Sequence, residues 1–280
     1  MSAASLHRLV AFTTAPSGGN PAGVWVGPEL PPSKVMQRIA AEIGYSETAF
    51  VAPERGFART IRYFSPRAEV PFCGHATIAV GVLLGQMEGP GVYRLATAAG
   101  EIPVMARRHE GRLEASLTSV DPRHRPASPG LLKGALSLLG WRAQELDPSI
   151  PPAKVYAGAW HLVLAAAESH RLTTLDYDLD ALAELMLAKD LTTLQLVWKE
   201  RDDLFHSRNP FPVGGVAEDP ATGAAAAALG GYLRDAGLLR PPAELMIRQG
   251  EAMGRPSRIR VTVPASGGIV VTGTAVPIEG

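Results

Sequence analysis

The feature that most constrains this chain is a pair of apolar, small-residue segments, each placed behind a turn-rich linker. Residues 64–85 read FSPRAEVPFCGHATIAVGVLLG, and residues 211–231 read FPVGGVAEDPATGAAAAALGG. Each predicts a helix that is apolar on nearly all sides, and such a helix has to be enclosed by other elements. An ungapped comparison at an offset of 147 residues sets matching positions opposite one another: Phe64 on Phe211, Cys73 on Pro220 and His75 on Thr222. We therefore predict two similar halves, each built around a central helix.

The remaining pattern is richer in strands than in helices. Capping and periodicity predict helices over 33–43, 75–84, 129–139, 179–187 and 222–234. Alternating apolar stretches predict strands over 6–12, 24–26, 48–51, 57–64, 92–96, 101–107, 113–117, 154–156, 161–166, 193–198, 204–207, 245–248, 258–263 and 269–276. We predict an α+β fold of two pseudo-symmetric halves, each a curved, barrel-like sheet around a central helix.

One segment has the composition of a linker between the halves. Residues 121–129, DPRHRPASP, are rich in proline and charge. We therefore predict an N-terminal half over 1–120 and a C-terminal half over 121–280. Whether the last strand returns to the N-terminal half is left open.

Composition excludes several classes of function. Lys plus Arg and Asp plus Glu are both 27, so there is no electrostatic signature of nucleic-acid or anionic-membrane binding. The single Cys73 excludes an intramolecular disulfide, a thiolate zinc cluster and a two-thiol mechanism within one chain. No signal-peptide pattern and no apolar run of about 20 residues is seen, so we expect a cytoplasmic protein without membrane spans. No nucleotide-binding motif is present.

The candidate chemistry lies where the two central helices begin. A helix N-terminus carries free N–H groups and a partial positive charge, which favour a carboxylate or a developing enolate-like charge. The first helix begins near Cys73 and His75, and Glu47 lies at the entry of a predicted strand. The second helix begins behind Glu218 and Asp219, with Thr222 and Gly223 in its first turn.

Each of these residues also has a purely structural interpretation. Glu47 suits a solvated acid at a strand end, His75 a helix-terminal hydrogen-bonding residue, and Asp219 an N-cap or turn acid. Cys73 suits an inert buried thiol. Two further residues are expected to be structural: Glu218, as a structural or exposed acid, and His161, as a core histidine with satisfied hydrogen bonds.

Five motifs in order resemble one known family across nearly the whole chain. They are GNPAGV at 19–24, GYSETAFV at 44–51, EVPFCGHAT at 69–77, EDPATGAA at 218–225 and QGEAMGRPS at 249–257. Together they resemble the phenazine-biosynthesis isomerase (PhzF-like) family. The resemblance implies a diaminopimelate-epimerase-like fold, an active site between the halves, no cofactor and no metal. It also implies a homodimer.

The resemblance assigns roles residue by residue. It implies that Glu47 is the general acid/base and that His75 and Asp219 are supporting acid/base or substrate-binding groups. The expected substrate-binding residues are Ser46, Gly74, Cys73, Thr222, Gly223 and Asn20.

Two departures from related proteins are visible. Related epimerases and proline racemases use one cysteine per half, whereas here the ungapped comparison puts Pro220 opposite Cys73. The family isomerase of phenazine synthesis has a serine where this chain has Ala224, so one hydroxyl donor to that substrate is missing.

We therefore expect a cofactor-independent isomerase of a small carboxylate-bearing metabolite, with a proton removed and returned by Glu47 and supported by His75 and Asp219. Two alternatives stay open at this point. One is an amino-acid racemase or epimerase that uses Glu47 and Cys73, and the other is a non-catalytic protein that binds a small carboxylate.

Overall fold

A computed structural model of the protein describes residues 4–278, which fold into helices and strands in frequent alternation. The α-helices within that range are α1 (Ser33–Ile43), α2 (Gly74–Glu88), α3 (Pro129–Leu139), α4 (Leu179–Ala188) and α5 (Gly223–Asp235). The strands are β1 (Ser5–Ala11), β2 (Asn20–Val26), β3 (Glu47–Pro53), β4 (Ala58–Phe64), β5 (Glu69–Val70), β6 (Gly91–Thr97), β7 (Gly100–His109), β8 (Arg112–Thr118), β9 (Arg123–Pro126), β10 (Ala153–Tyr156), β11 (Trp160–Ala166), β12 (Thr193–Arg201), β13 (Leu204–Pro210), β14 (Glu218–Asp219), β15 (Ala243–Gln249), β16 (Ser257–Val263) and β17 (Val270–Pro277).

The first compact unit comprises the described residues up to Thr118 and those from Thr272 onward. Its strands pair in the order β17–β1–β2–β3–β4–β6–β7–β8, and the sheet closes because β17 also pairs with β8. Helix α2 lies inside this sheet and is buried along most of its length. A Cβ at Gly81 would lie 2.6 Å from Val104 Cγ1, so the helix approaches the sheet more closely than alanine permits.

The second unit comprises Ser119–Val271. Its strands pair in the order β9–β10–β11–β12–β13–β15–β16, with β14 added to the end of β13. Helix α5 packs on one face of this sheet, and its alanines from Ala225 to Ala228 are buried. Helices α3 and α4 share an apolar cluster with Leu162, Leu164, Leu194 and Leu196 of the sheet. Two units, each with a buried helix packed against its sheet, confirm the predicted α+β fold.

Helices with clear stop signals have the predicted bounds. Helix α3 spans Pro129–Leu139 because the Ser128 side chain caps the Leu131 N–H and Gly140 ends the helix in a left-handed conformation. Helix α1 ends at Ile43 in the same way, at Gly44. Helix α2 is longer than predicted and runs to Glu88, because its apolar segment continues into a polar last turn.

The predicted linker at 121–129 is wrong in part, because it contains strand β9. Its four residues are exposed, so the sequence shows no apolar alternation. The strand forms because it pairs with β10, with Arg123 opposite Tyr156. The Arg123 guanidinium lies 4.2 Å from the Tyr156 ring centroid, a cation–π contact across that pair.

The predicted register of the internal repeat is also wrong by two residues at the helices. Helix α2 begins at Gly74 and α5 at Gly223, an offset of 223 − 74 = 149, whereas β4 and β13 end at Phe64 and Pro210, an offset of 210 − 64 = 146. The reason is the turn after each strand, which spans 65–68 in the first unit and 211–217 in the second. An ungapped comparison cannot follow that three-residue insertion.

The corrected register changes the partner of Cys73. Cys73 is the N-cap of α2, and Thr222 is the N-cap of α5. The residue matching Cys73 is therefore Thr222 and not Pro220. Since Thr222 carries no thiol, a pair of matched cysteines remains excluded.

Within residues 4–278 we find no helix with the length and apolar character that crossing a membrane requires.

Candidate active site

Three predicted residues meet at the N-terminus of α2. Glu47 is the first residue of β3, Cys73 is the N-cap of the helix, and His75 lies in its first turn. The Cys73 and His75 side chains are buried, while 19% of the Glu47 side chain is exposed. We call these three residues the Glu47 cluster.

The three side chains of the Glu47 cluster contact one another. The Cys73 thiol lies 3.4 Å from Glu47 Oε2 and 3.4 Å from His75 Nδ1. His75 Nε2 lies 3.5 Å from Glu47 Oε2. A carboxylate, an imidazole and a thiol are all groups that accept or donate protons, and here each one touches the other two. The cluster is therefore equipped for proton transfer.

The other predicted residues of the first unit lie around the Glu47 cluster. Ser46 Oγ lies 3.5 Å from His75 Nε2, and Gly74 is the first residue of α2. Asn20 is buried at the start of β2, two residues before Ala22, the residue paired with Glu47.

A buried hydrogen-bond chain fixes the first turn of α2. The Thr77 hydroxyl donates to the Cys73 carbonyl at 2.6 Å, so it accepts from the Tyr63 hydroxyl at 2.7 Å. Burial raises the pKa of Tyr63 far above its ordinary value, which keeps the hydroxyl protonated as a donor. This chain holds the backbone that carries Cys73.

The N-terminus of α5 carries a different arrangement. Asp219 ends β14, Thr222 is the N-cap, and Gly223 is the first helical residue. The Thr222 hydroxyl lies 2.5 Å from Asp219 Oδ2. Gln249, at the end of β15, donates to Thr222 Oγ1 at 3.0 Å and to the Asp219 carbonyl at 2.6 Å. We call Asp219, Thr222 and Gln249 the Asp219 network.

The geometry determines the directions of the hydrogen bonds that join Asp219, Thr222 and Gln249. Gln249 Oε1 accepts from the Thr222 backbone N–H at 3.1 Å, which fixes the orientation of the amide. The amide nitrogen then donates to Thr222 Oγ1, so the hydroxyl hydrogen points to Asp219. Asp219 receives a hydrogen bond, which suits a carboxylate.

An arginine–glutamate pair braces the short strand before each helix. In the first unit Arg62 binds Glu69 with two hydrogen bonds of 2.7 and 2.6 Å. In the second unit Arg208 binds Glu218, with the shortest contact at 2.6 Å. Glu218 is buried and the Arg208 side chain is only 14% exposed. Of the two predicted settings for Glu218, the structural one is therefore right and the exposed one is wrong.

The prediction of a fully satisfied His161 is wrong in one respect. The side chain is buried and its Nδ1 bonds Thr193 Oγ1 at 2.8 Å, as expected of a core histidine. Its Nε2 has no hydrogen-bond partner among residues 4–278. Burial without a countercharge lowers the pKa of His161 to about 3, so the ring is neutral.

Sequence reasoning missed three residues of these sites. Gln249 begins the fifth motif, QGEAMGRPS, and its position there was the available signal. Tyr63 and Thr77 lie in apolar alternation, where a buried hydroxyl pair has no sequence signature.

Known proteins resemble this chain along nearly its whole length. The sequence matches the family of phenazine biosynthesis-like proteins, PhzC-PhzF, over residues 9–280. It is 31% identical to a trans-2,3-dihydro-3-hydroxyanthranilate isomerase of Pseudomonas aeruginosa, over 94% of this chain and 92% of that protein.

Two solved structures show the same fold. A PhzF-family phenazine biosynthesis protein of Bacillus anthracis has a TM-score of 0.87 at 23% identity, over 100% of this chain and 98% of that one. A hydroxyproline epimerase of Agrobacterium vitis has a TM-score of 0.64 at 15% identity, over 98% and 90% of the two chains. At these identities the likeness concerns the fold alone.

Proposed function

Since the chain belongs to the PhzC-PhzF family and is an isomerase or epimerase, we propose that it is a cofactor-independent isomerase of a small carboxylate-bearing metabolite. Glu47 removes a proton from a carbon that a carboxylate or a conjugated double bond activates. The bonding electrons move along the conjugated system, and Glu47 or protonated His75 returns a proton at another carbon. The observation that carries this proposal is the mutual contact of the Glu47 cluster at the α2 N-terminus.

The burial of the three side chains supports Glu47 as the base. Its side chain is 19% exposed, against 8% for His75, so the carboxylate is the more accessible of the two proton carriers. His75 Nε2, 3.5 Å from Glu47 Oε2, is placed to exchange a proton with the carboxyl group. A positioned acid/base of this kind typically contributes about 10²–10⁴-fold in rate.

The helix terminus supports the stabilisation of negative charge. Cys73 is the N-cap residue of α2, and within the described residues its side chain makes no capping hydrogen bond to the helix. The N-cap side chain therefore does not occupy the N–H groups of the first turn. Their partial positive charge favours the anion that develops when the proton leaves.

Asp219 is a separate part of the proposal. The family resemblance assigns it a supporting role, and the direction of the Thr222 hydrogen bond suits a carboxylate acceptor. We propose that it binds or protonates a polar group of the substrate. An Asp219→Asn variant that retains full turnover would remove Asp219 from the mechanism and leave Glu47 untouched.

The racemase alternative is less well supported by the geometry. A two-base epimerase needs its bases on opposite faces of one carbon. Glu47 Oε2 and the Cys73 thiol are 3.4 Å apart, which leaves no room for a carbon between them. The relatives are isomerases, so the non-catalytic alternative is not carried further.

Solvent isotope labelling tests the reaction class. The enzyme is incubated in heavy water with a panel of small carboxylates that includes trans-2,3-dihydro-3-hydroxyanthranilate, and the products are followed by NMR. We expect deuterium or retained hydrogen at a new carbon of an isomerised product. Label at the original chiral carbon, with inversion there, would indicate an epimerase and contradict the proposal.

A further inference from the structure

We infer that the Glu47 cluster also binds a zinc ion, and that the bound ion inhibits the enzyme. Binding follows from the geometry of Glu47, Cys73 and His75 alone. The inhibition rests on the proposed function, since it requires Glu47 to be the base.

Two of the three distances between the ligand atoms match a tetrahedral zinc site, and the third is slightly longer. Zinc binds sulfur at about 2.3 Å and nitrogen or oxygen at about 2.0–2.2 Å, so tetrahedral ligand atoms lie about 3.3–3.6 Å apart. Here Cys73 Sγ and Glu47 Oε2 are 3.4 Å apart, and His75 Nε2 lies 3.5 Å from Glu47 Oε2 and 3.9 Å from Cys73 Sγ. A small rotation of the imidazole completes three corners of the tetrahedron, with the fourth left for water.

The ligands are held in place before any ion binds. Cys73 and His75 are two residues apart at the start of α2, and the buried Tyr63–Thr77 pair holds the Cys73 carbonyl. Glu47 is fixed in the β3 ladder opposite Ala22. Little ordering is therefore needed on binding, which raises the affinity.

The charges of the ligands match the ion. A thiolate and a carboxylate supply two negative charges, and the neutral imidazole completes the set. Zinc binding releases the Cys73 thiol proton to solvent. The partial charge of the α2 N-terminus opposes the ion, but the two anionic ligands contact it directly.

A second histidine–carboxylate group provides a matched control. His206 Nε2 lies 2.6 Å from Glu200 Oε2, and His206 Nδ1 lies 3.3 Å from Glu251 Oε2. Each carboxylate uses a different ring nitrogen, so the two oxygens flank the imidazole and do not converge on one ion. In the part of the chain that the structure describes, only the Glu47 cluster brings three such ligand atoms within 4.8 Å of one another.

The test is a metal titration of the full chain after removal of metal by a chelator. We expect one Zn²⁺ per chain, in competition with a chromophoric chelator. We also expect Co²⁺ to give a thiolate charge-transfer band in the near ultraviolet. Cys73→Ser abolishes that band and weakens Zn²⁺ binding about tenfold or more, because it removes the soft ligand. His75→Gln weakens binding similarly, and His206→Asn binds like the wild type.

Two results would overturn the zinc site. One is a wild-type protein without the Co²⁺–thiolate band, and the other is equal Zn²⁺ affinity of the wild type, Cys73→Ser and His75→Gln. Far-ultraviolet circular dichroism verifies that each variant is folded.

Inhibition is measured separately, with and without chelator. We expect stoichiometric Zn²⁺ to suppress wild-type turnover and the chelator to restore it. Zinc that binds with full turnover retained would contradict the inhibition but not the metal site. Loss of turnover in Glu47→Gln with chelator present supports the proposed function whatever the metal result is.

Discussion

The N-termini of α2 and α5 have the same backbone arrangement but carry different side chains. Each helix follows a two-residue strand that an arginine–glutamate pair braces, and each has an N-cap whose side chain makes no capping bond within residues 4–278. At α2 the cap is Cys73, which touches two other proton carriers. At α5 the cap is Thr222, whose hydroxyl is committed to Asp219.

The difference lies in how freely protons can move at the two termini. In the Asp219 network the orientation of the Gln249 amide sets the direction of the hydrogen bonds that join the three residues. In the Glu47 cluster the thiol and both ring nitrogens can each act as donor or acceptor. One repeated scaffold thus places three proton carriers in mutual contact at one helix terminus, and a hydroxyl that donates to a carboxyl group at the other.

The largest expected effect on stability is the difference between breaking one arginine–glutamate pair and breaking the other. Arg208→Gln leaves Glu218 buried without its partner, and we expect a loss of about 3–5 kcal/mol in the free energy of unfolding. Arg62→Gln breaks the more exposed pair and costs about 1 kcal/mol or less. Urea unfolding at pH 7 measures both.

The pH dependence of the free energy of unfolding tests the contribution of the Arg62–Glu69 pair further. Arg62 holds the pKa of Glu69 below its usual value, so this pair stabilises the fold at neutral pH and is lost as the pH falls through the folded-state pKa. Arg62→Gln would therefore differ less from the wild type at low pH. Equal costs for Arg208→Gln and Arg62→Gln at pH 7 would refute the distinction between the pairs.

A second difference is the buried imidazole of His161 in the second unit. Its pKa of about 3 lies below the ordinary 6.5, so the unfolded chain takes up a proton first as the pH falls. Stability is fully present above about pH 6.5 and declines below it, by about 2 kcal/mol between pH 7 and pH 5. We expect His161→Gln to lose less stability than the wild type over this interval. Parallel pH profiles of unfolding in the two proteins would rule this account out.

A small effect on stability is expected from the hydroxyl chain at α2. Thr77→Val leaves the buried Tyr63 hydroxyl without its acceptor and should cost about 1–2 kcal/mol. Thr77→Ser keeps the hydroxyl and serves as the control, although it also loses a methyl group. Thermal unfolding compares the two variants, and a Val variant more stable than Ser would show that the chain is not stabilising.

Local sequence signals identified the helices and the first helix terminus. Ser128 and Gly140 mark both ends of α3, and the apolar character of 74–85 requires an enclosing sheet. Short motifs predict the three residues of the Glu47 cluster, because Cys73 and His75 are near neighbours and Glu47 begins a strand. The distances between the three groups depend on the closure of the sheet, which no local pattern encodes.

The features that the sequence does not predict depend on contacts between residues far apart in the chain. Strand β9 is exposed and forms only because β10 is beside it. The three-residue insertion before β14 displaces the repeat, so an ungapped comparison pairs Cys73 with Pro220 in place of Thr222. Gln249 reaches Asp219 from 30 positions away, a contact visible only in the fold.

The central claim is that Glu47 carries the transferred proton. The most direct measurement is the rate of isotope exchange and turnover in heavy water, with a carboxylate that the wild type converts, for the wild type, Glu47→Gln and the exposed control Glu42→Gln. We predict a loss of about 10²–10⁴-fold for Glu47→Gln alone, with unfolding free energy close to that of the wild type. Exchange and turnover in Glu47→Gln at the wild-type rate would contradict the account.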